Sequence, residues 1–156
     1  LEQTGTPPLL AGAVTGVYGL ALIATAQLMK PALGRVRPAV LLAVGGVAVA
    51  VGYAGIALWL TVPSVLVASG LFGGAWAVAH TQMQHWMTDA VVLDRPVGTA
   101  LFATSLFAGG AIGASIGSAV AAGGSFPALF LATAAAALAF AAAASLGRSR
   151  YRPRAD

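Results

Sequence analysis

Long runs without a charged residue dominate the chain and predict membrane-spanning helices. Three such runs occur, at residues 3–29, 38–88 and 96–147. A helix needs about 20 mostly apolar residues to cross the hydrocarbon core of a bilayer, so the first run fits one span and the other two are too long for one. Pro63 divides the second run, and Gly124 with Pro127 divides the third, because proline and glycine interrupt helices. The predicted spans are 9–29, 39–60, 64–84, 97–122 and 127–146.

The length of these runs favours helices over a β-barrel, whose strands are alternating segments of about 10 residues. Within lipid, a helix also pairs its own backbone polar groups. We therefore expect an all-α transmembrane protein that forms a single helical bundle over residues 1–156, in which residues 147–156 are a basic tail.

Composition favours a membrane protein over a soluble one. The 156 residues are 59% hydrophobic and 8% charged, whereas soluble domains carry roughly 25% charged residues. The absence of cysteine excludes disulfides, thiolate metal sites and a cysteine nucleophile. The isoelectric point near 10.4 does not indicate nucleic-acid binding, because the basic residues lie at the ends of the apolar runs and form no continuous face.

The basic residues predict how the chain is oriented in the membrane. All of them fall in alternate connections or in the tail, and the connections around Pro63 and Gly124 carry none. Because cytoplasmic loops are enriched in Lys and Arg, we expect a multi-pass protein of the cell membrane with an external N-terminus and a cytoplasmic C-terminus. The chain begins at Leu1 without a signal-peptide pattern, so we expect a piece of a longer protein. The basic residues are Lys30, Arg35, Arg37, Arg95, Arg148, Arg150, Arg152 and Arg154.

A row of glycines in the fourth predicted span indicates close helix packing. The stretch "GGAIGASIG" places Gly109, Gly113 and Gly117 four residues apart, on one face of a helix. Small residues at this spacing let two helix backbones approach closely in lipid. We expect Gly113 to be buried against a neighbouring helix.

Two longer segments resemble the major facilitator superfamily. The loop "AQLMKPALGRVRP", with Gly34, Arg35 and Arg37, is similar to the cytoplasmic motif G-x-L-x-D-R-x-G-R-R of that family, although the acidic position falls near Lys30. The segment "MQHWMTDAVVLDRPVGTALFATSLFAGGAIG" resembles the connection between the tenth and eleventh helices of bacterial members, and "LEQTGTPPLLAG" is similar to the outer loop before the eighth. The resemblance implies helices eight to twelve, a five-helix fragment of the C-terminal six-helix half.

The resemblance implies a secondary-active transporter of small molecules, of the efflux-permease type. Such a transporter holds its solute between two six-helix halves, so this chain is expected to be incomplete and not to transport alone. Its partners are then the lipid bilayer, a small-molecule solute and the missing N-terminal half of the same transporter. An alternative is a truncated, non-transporting module that packs against a partner subunit. Neither hypothesis requires a cofactor, although proton coupling remains open.

The resemblance also implies which residues face the solute. In the family's architecture, the eighth, tenth and eleventh helices border the central cavity, and the ninth and twelfth are peripheral. The residue types on the corresponding spans then give the cavity candidates, which are Tyr18, Trp76, His80, Thr104 and Phe107.

The polar stretch "AHTQMQHWMTD" holds both histidines of the chain and leaves two interpretations open. His80 lies about one turn inside the predicted span, so it is either a proton-coupling or solute-contacting group or a neutral histidine at the membrane interface. His85 is expected in the loop, five residues from His80, which is a poor spacing for a metal pair. Trp86 is expected at the headgroups.

This polar stretch does not indicate a catalytic site or a metal site. Asp89, with Asp94 and Arg95, is expected to cap and orient the next helix. No Ser/His/Asp set converges, because Asp89 is expected in a loop and the serines lie in apolar helices. We therefore expect neither a catalytic site nor a metal site.

Overall fold

The computed structural model describes residues 8–31, 34–91 and 93–152 and consists, over those residues, of five α-helices without a β-strand. The all-α prediction is confirmed. Residues 1–7 of the predicted outer loop and Arg154 of the tail lie outside the described residues. The helices are α1 (Pro8–Leu28), α2 (Pro38–Leu58), α3 (Val62–Ala90), α4 (Arg95–Ala122) and α5 (Phe126–Arg150).

Four of these helices, α2 to α5, are long and apolar enough to cross a membrane. The part of α1 from Gly12 to Leu28 is also apolar but shorter. The connections between the helices put Arg35, Arg37, Arg95 and Arg148 at one end of the bundle, which we call the basic end. The two connections at the opposite end carry no charged residue.

Proline and short polar side chains define where the helices begin. Each helix from α2 to α5 has a proline in its first two positions, where a missing N–H costs nothing because no acceptor precedes it. Thr61 and Ser64 form a reciprocal cap at the start of α3, with Ser64 N donating to Thr61 Oγ1 at 3.4 Å and Thr61 N donating to Ser64 Oγ at 3.1 Å. Gly124 turns the chain between α4 and α5 with a φ of 75°, a conformation that glycine adopts freely.

Helix α3 continues six residues beyond the predicted end of its span, so the expectation that His85 and Asp89 lie in a loop is wrong. Both are helical, and the helix is still hydrogen-bonded at its end, where Val91 N donates to Met87 O at 3.1 Å. Polar residues locate the membrane surface but do not break a helix. The first proline after Pro63 is Pro96, so the backbone meets no such interruption at residue 84.

The core lies where α2 packs against α3 and α5, and α1 packs on the outer side of α3. Buried positions are mostly small or aliphatic, such as Leu42 on α2, Ala75 on α3 and Ala141 on α5. Many large apolar side chains instead point outward, among them Leu20, Val51 and Leu138. This distribution, with small residues inside and large apolar residues outside, suits a bundle whose surroundings are lipid.

Glycine makes the closest helix crossings of the bundle. A Cβ at Gly73 would lie well inside the contact distance of the backbone carbonyl oxygen of Tyr18 and 3.1 Å from Leu22 N. A Cβ at Gly45 would lie 2.9 Å from Ala79 Cβ. The α1–α3 and α2–α3 contacts therefore depend on the absence of a side chain at these two positions.

The glycine row on α4 does not pack as predicted. Added Cβ atoms at Gly109, Gly113 and Gly117 would meet nothing within 4 Å, so the expectation that Gly113 is buried against another helix is wrong for this chain. Helix α4 contacts the bundle near its N-terminal end, where Gly98 lies against Met87 and Val91, and the glycine row faces away. Glycines that are four residues apart allow another helix to approach closely, but their spacing does not specify which helix packs there.

Candidate functional site

A cavity of about 400 Å³ opens between α1, α2, α3 and α5, and we call it the central cavity. Helix α3 supplies much of its wall, because residues that are three or four positions apart stack on one helix face. Helix α2 supplies a second wall opposite. Its aromatic and histidine lining residues are Tyr18, Tyr53, Phe72, Trp76, His80 and Phe140.

The central cavity is apolar and carries no formal charge. None of its lining residues is Asp, Glu, Lys or Arg. Its polar groups are the hydroxyls of Tyr18 and Tyr53, the indole N–H of Trp76 and the imidazole of His80. Binding sites for small organic molecules are commonly built in this way, with an apolar wall and a few polar groups that fix orientation.

His80 is held between aromatic rings. Its imidazole stacks on Trp76 with ring centroids 4.6 Å apart and planes 13° apart, and Phe102 of α4 lies 5.4 Å away at a tilt of 49°. Its Nδ1 atom is buried and has no hydrogen-bond partner within the described part of the chain. A buried nitrogen is normally paired, so this atom can accept or donate one hydrogen bond to a group inside the bundle.

A second aromatic cluster borders the cavity toward the opposite end of the bundle. Tyr53 lies 4.6 Å from Phe72 and 6.2 Å from Phe130, measured between ring centroids. Aromatic pairs at such distances stabilise one another beyond their burial. The cluster therefore fixes the wall at which α2, α3 and α5 meet.

The structure brings together three of the five predicted cavity residues. Tyr18, Trp76 and His80 line the central cavity. Thr104 and Phe107 do not line it, and Phe107 is 75% exposed. Both lie on the part of α4 that turns away from the bundle, so the expected placement of the eleventh helix along this cavity is not seen in this chain.

The sequence analysis did not identify three aromatic residues of this site. Phe72 and Tyr53 line the central cavity, and Phe102 contacts His80. A signal existed for Phe72, because it precedes Trp76 by the same four residues that separate Trp76 from His80. Tyr53 and Phe102 lie on other helices, and no spacing along the sequence pairs them with α3. Their roles depend on how the helices cross.

The basic end is held together by a contact between α3 and α5. Arg148 Nη2 donates to Asp89 Oδ2 at 2.8 Å, and the Tyr151 hydroxyl donates to the Asp89 carbonyl oxygen at 3.1 Å. The Arg148 guanidinium also lies 5.9 Å from the centre of the Trp86 ring. The ion pair is partly exposed, with the Arg148 side chain 16% and the Asp89 side chain 43% accessible. It therefore stabilises the fold by only about 0–1 kcal/mol.

The expectation that Asp89 and Asp94 cap the fourth helix is wrong. Asp89 is on α3 and binds α5, while Asp94 occupies the N-cap position of α4 without a hydrogen bond from its side chain. The Asp94 backbone has a φ of −122° and a ψ of 51°, which is not the extended conformation usual at an N-cap. Asp89 reaches Arg148 because the longer α3 carries it beside the end of α5.

The predicted loop motif lies beside this contact. Gly34 has a φ of 88°, the left-handed conformation that glycine favours. Arg35 donates from Nη1 to the Pro31 carbonyl oxygen at 3.2 Å, and Arg37 is the N-cap residue of α2. The motif therefore forms the tight turn from which α2 begins.

The described residues contain no group of three or more His, Cys, Asp or Glu side chains that could hold a metal ion.

The comparisons with known proteins point to one family. The family model of the Major Facilitator Superfamily matches residues 1–156. No curated protein and no solved structure matches the chain. Together with its apolar helices, this match shows that the chain is a multi-pass membrane protein that belongs to the major facilitator superfamily, a family of transporters.

Proposed function

We propose that this chain supplies one wall of the solute pathway in an efflux-type permease. The observation that carries the proposal is the central cavity, an aromatic-lined space without a carboxylate, guanidinium or ammonium group, whose wall includes His80. The buried Nδ1 atom of His80 has no hydrogen-bond partner among the described residues. Such a wall favours apolar or amphipathic aromatic solutes, because stacking and apolar burial supply the binding energy and a single hydrogen bond orients the solute. The absence of a carboxylate in the wall disfavours strongly charged cations.

The transporting unit includes helices that this chain does not contain. Superfamily transporters hold their solute between two repeats and expose it alternately to each side. In this chain the central cavity has walls from α1, α2, α3 and α5, while α4 leaves its glycine row and Phe107 exposed. An uncovered row of small residues is a surface on which another helix can pack closely. The partner is the N-terminal half of the same transporter.

A truncated module that packs against a separate subunit is the second candidate, and the uncovered glycine row of α4 favours it equally. The two candidates differ in whether the helices that pack on the α4 glycine row are encoded in the same gene or in a separate one. Seven further spans in frame upstream of Leu1 support the permease. Their absence, with a separate membrane protein that is isolated in complex with this chain, supports the module.

The pH dependence of transport tests the role of His80. In a transporter that contains this chain, we expect His80→Ala to flatten the dependence of efflux on pH between about 5 and 8, because it removes the histidine side chain that lines the central cavity. The substitution removes a polar group from a span and should leave membrane insertion intact. The measurement is efflux of the neutral amine N-phenyl-1-naphthylamine from energised cells over that pH range.

The control for this experiment is His85→Ala, since His85 is exposed and does not line the central cavity. Its pH profile should match that of the wild type. A change in solute affinity without a change in the pH profile would make His80 a wall contact that carries no proton. No change in either property would leave His80 a neutral histidine without a role in transport.

We also propose that the basic end of the bundle faces the cytoplasm of a cell membrane. The support is the distribution of charge, because Lys and Arg are retained on the cytoplasmic side. Ser125 and Ser149 are exposed and lie at opposite ends of the bundle. In intact cells, a cysteine at Ser125 should react with an impermeant maleimide, and a cysteine at Ser149 should not. Labelling at Ser149 alone would reverse the orientation.

A further inference from the structure

The basic end contains a second cavity, of about 620 Å³, which we call the basic-end cavity. It lies where the α1–α2 turn, the start of α2, the end of α3 and the end of α5 meet, and it does not share residues with the central cavity. The residues that give it its chemistry are Arg35, Arg37, Gln82, His85, Asp89 and Arg148.

The charge of the basic-end cavity is positive. Three guanidinium groups line it, and the carboxylate of Asp89 is its only acidic group. That carboxylate is already bound to Arg148 at 2.8 Å. Arg35 and Arg37 form no ion pair with any carboxylate in the described part of the chain, so two positive charges remain uncompensated beside the cavity.

The start of α2 adds to this positive character. Arg37 occupies the N-cap position without a side-chain cap, Pro38 follows it, and the first turn holds no acidic residue. Pro38 has no N–H, and Val40 N donates to the Arg37 carbonyl oxygen at 2.9 Å, so the start of α2 contributes mainly the partial positive charge of a helix N-terminus. This charge stabilises an anion that lies close to the first turn of the helix.

Gln82 gives an independent indication that the cavity receives a polar group. Its side chain is only 6% exposed, yet it lines the basic-end cavity. No hydrogen bond joins its side-chain amide to another of the described residues. The amide therefore has no partner among the described residues, and its NH₂ can donate to a polar group in the cavity.

We propose that the basic-end cavity binds a phosphate group, carried either by a lipid headgroup or by a soluble phosphate compound. Guanidinium groups suit phosphate because their planar set of N–H donors matches its oxygens. Arg35 and Arg37 neutralise the charge, and Gln82 donates from α3. The bound phosphate ties the α1–α2 turn to α3 and α5. This site is distinct from the proposed solute site.

The experiment measures which lipids the purified chain retains in a neutral detergent, by native mass spectrometry. The probes are dioleoylphosphatidylglycerol and dioleoylglycerol, which share acyl chains and differ in the phosphate. We expect wild type to retain the phospholipid selectively. Arg37→Gln and Gln82→Leu should each lower its retention by about fivefold. This is the factor expected when one contact is lost that is as strong as the contact of a basic residue with an anionic lipid. Arg35→Gln is a second arginine variant, and the far-UV circular dichroism spectrum reports whether each variant folds.

The matched control is Arg150→Gln, which removes the same charge from an exposed residue outside the cavity and should retain lipid as wild type does. Competition by inorganic phosphate at constant ionic strength then identifies the source. Displacement of the phospholipid supports a soluble phosphate compound, and no displacement supports a lipid headgroup. Equal retention of the two lipids would overturn the proposal. So would wild-type retention by the folded Arg37→Gln and Gln82→Leu variants, or an equal loss in Arg150→Gln.

Discussion

Replacing Gly73 by leucine is expected to separate α1 from α3 and to lower the stability of the bundle. Even a Cβ at this position would collide with the backbone at Tyr18 and approach Leu22 N to 3.1 Å. Backbone atoms of a packed helix cannot rotate away as a side chain can, so the helices must move apart. Overpacking typically costs about 1–3 kcal/mol, and a collision with backbone belongs at the upper end of that range. The measurement is the midpoint of unfolding by sodium dodecyl sulfate, followed by circular dichroism.

Gly113→Leu is the matched control for this prediction. It makes the same change on a helix face where an added Cβ meets nothing within 4 Å. The purified chain should therefore unfold at the wild-type midpoint. If Gly113→Leu destabilised the isolated chain as much as Gly73→Leu, the collision at the α1–α3 crossing would not be the cause, and helix propensity could not be the cause either, because leucine favours a helix more than glycine does.

Replacing Trp76 by alanine is expected to remove most of the affinity of the central cavity for an apolar aromatic ligand. Trp76 stacks on His80 at 4.6 Å and lines the cavity beside Phe72, so its loss removes a large contact surface and frees the imidazole that it positions. Aromatic residues at the centre of a binding site commonly cost about 2 kcal/mol or more when truncated, which is roughly thirtyfold in affinity. Binding can be followed by the saturable rise in N-phenyl-1-naphthylamine fluorescence on addition of the purified chain.

Phe107→Ala provides the comparison, because it removes another aromatic ring from a position that is 75% exposed and outside the central cavity. This variant should bind the ligand with wild-type affinity. A loss of affinity in Phe107→Ala that equalled the loss in Trp76→Ala would show that the ligand binds on the surface of α4. Wild-type binding by Trp76→Ala would remove the central cavity from the proposal.

The number of helices and most of their starts could be predicted, because hydropathy, length and proline are local properties of the sequence. Pro38, Pro63, Pro96 and Pro127 lie within the first two positions of α2 to α5. The end of α3 could not be predicted in the same way. Its last turns are polar, which marks the membrane surface but not the end of a helix, and the contact of Asp89 with α5 joins residues distant in the sequence.

In the candidate site too, features of a single helix predict some residues, and the packing of helices that are distant in the sequence decides the others. The resemblance predicts Tyr18, Trp76 and His80 as cavity residues from the helices on which they lie. The three line one cavity of this chain, and their contact with a solute stays a prediction. The glycine row of α4 was assigned to a helix contact that this chain does not make, while Gly73, which lies outside that row, makes the closest crossing. A small residue shows that an approach is sterically possible, and only the arrangement of the helices shows where one occurs.

Helix α3 links the two cavities thermodynamically. It is one uninterrupted helix from Val62 to Ala90, and His80 lines the central cavity while Gln82, two residues later, lines the basic-end cavity. Ala75 of the central cavity and Gln82 of the basic-end cavity are seven residues apart, about two helical turns, and share one side of α3. The two cavities therefore border neighbouring faces of the same helix, and a tilt of α3 changes both at once. A ligand that favours one tilt of α3 alters the affinity of the other cavity, and linkage requires the effect to be reciprocal and of equal size.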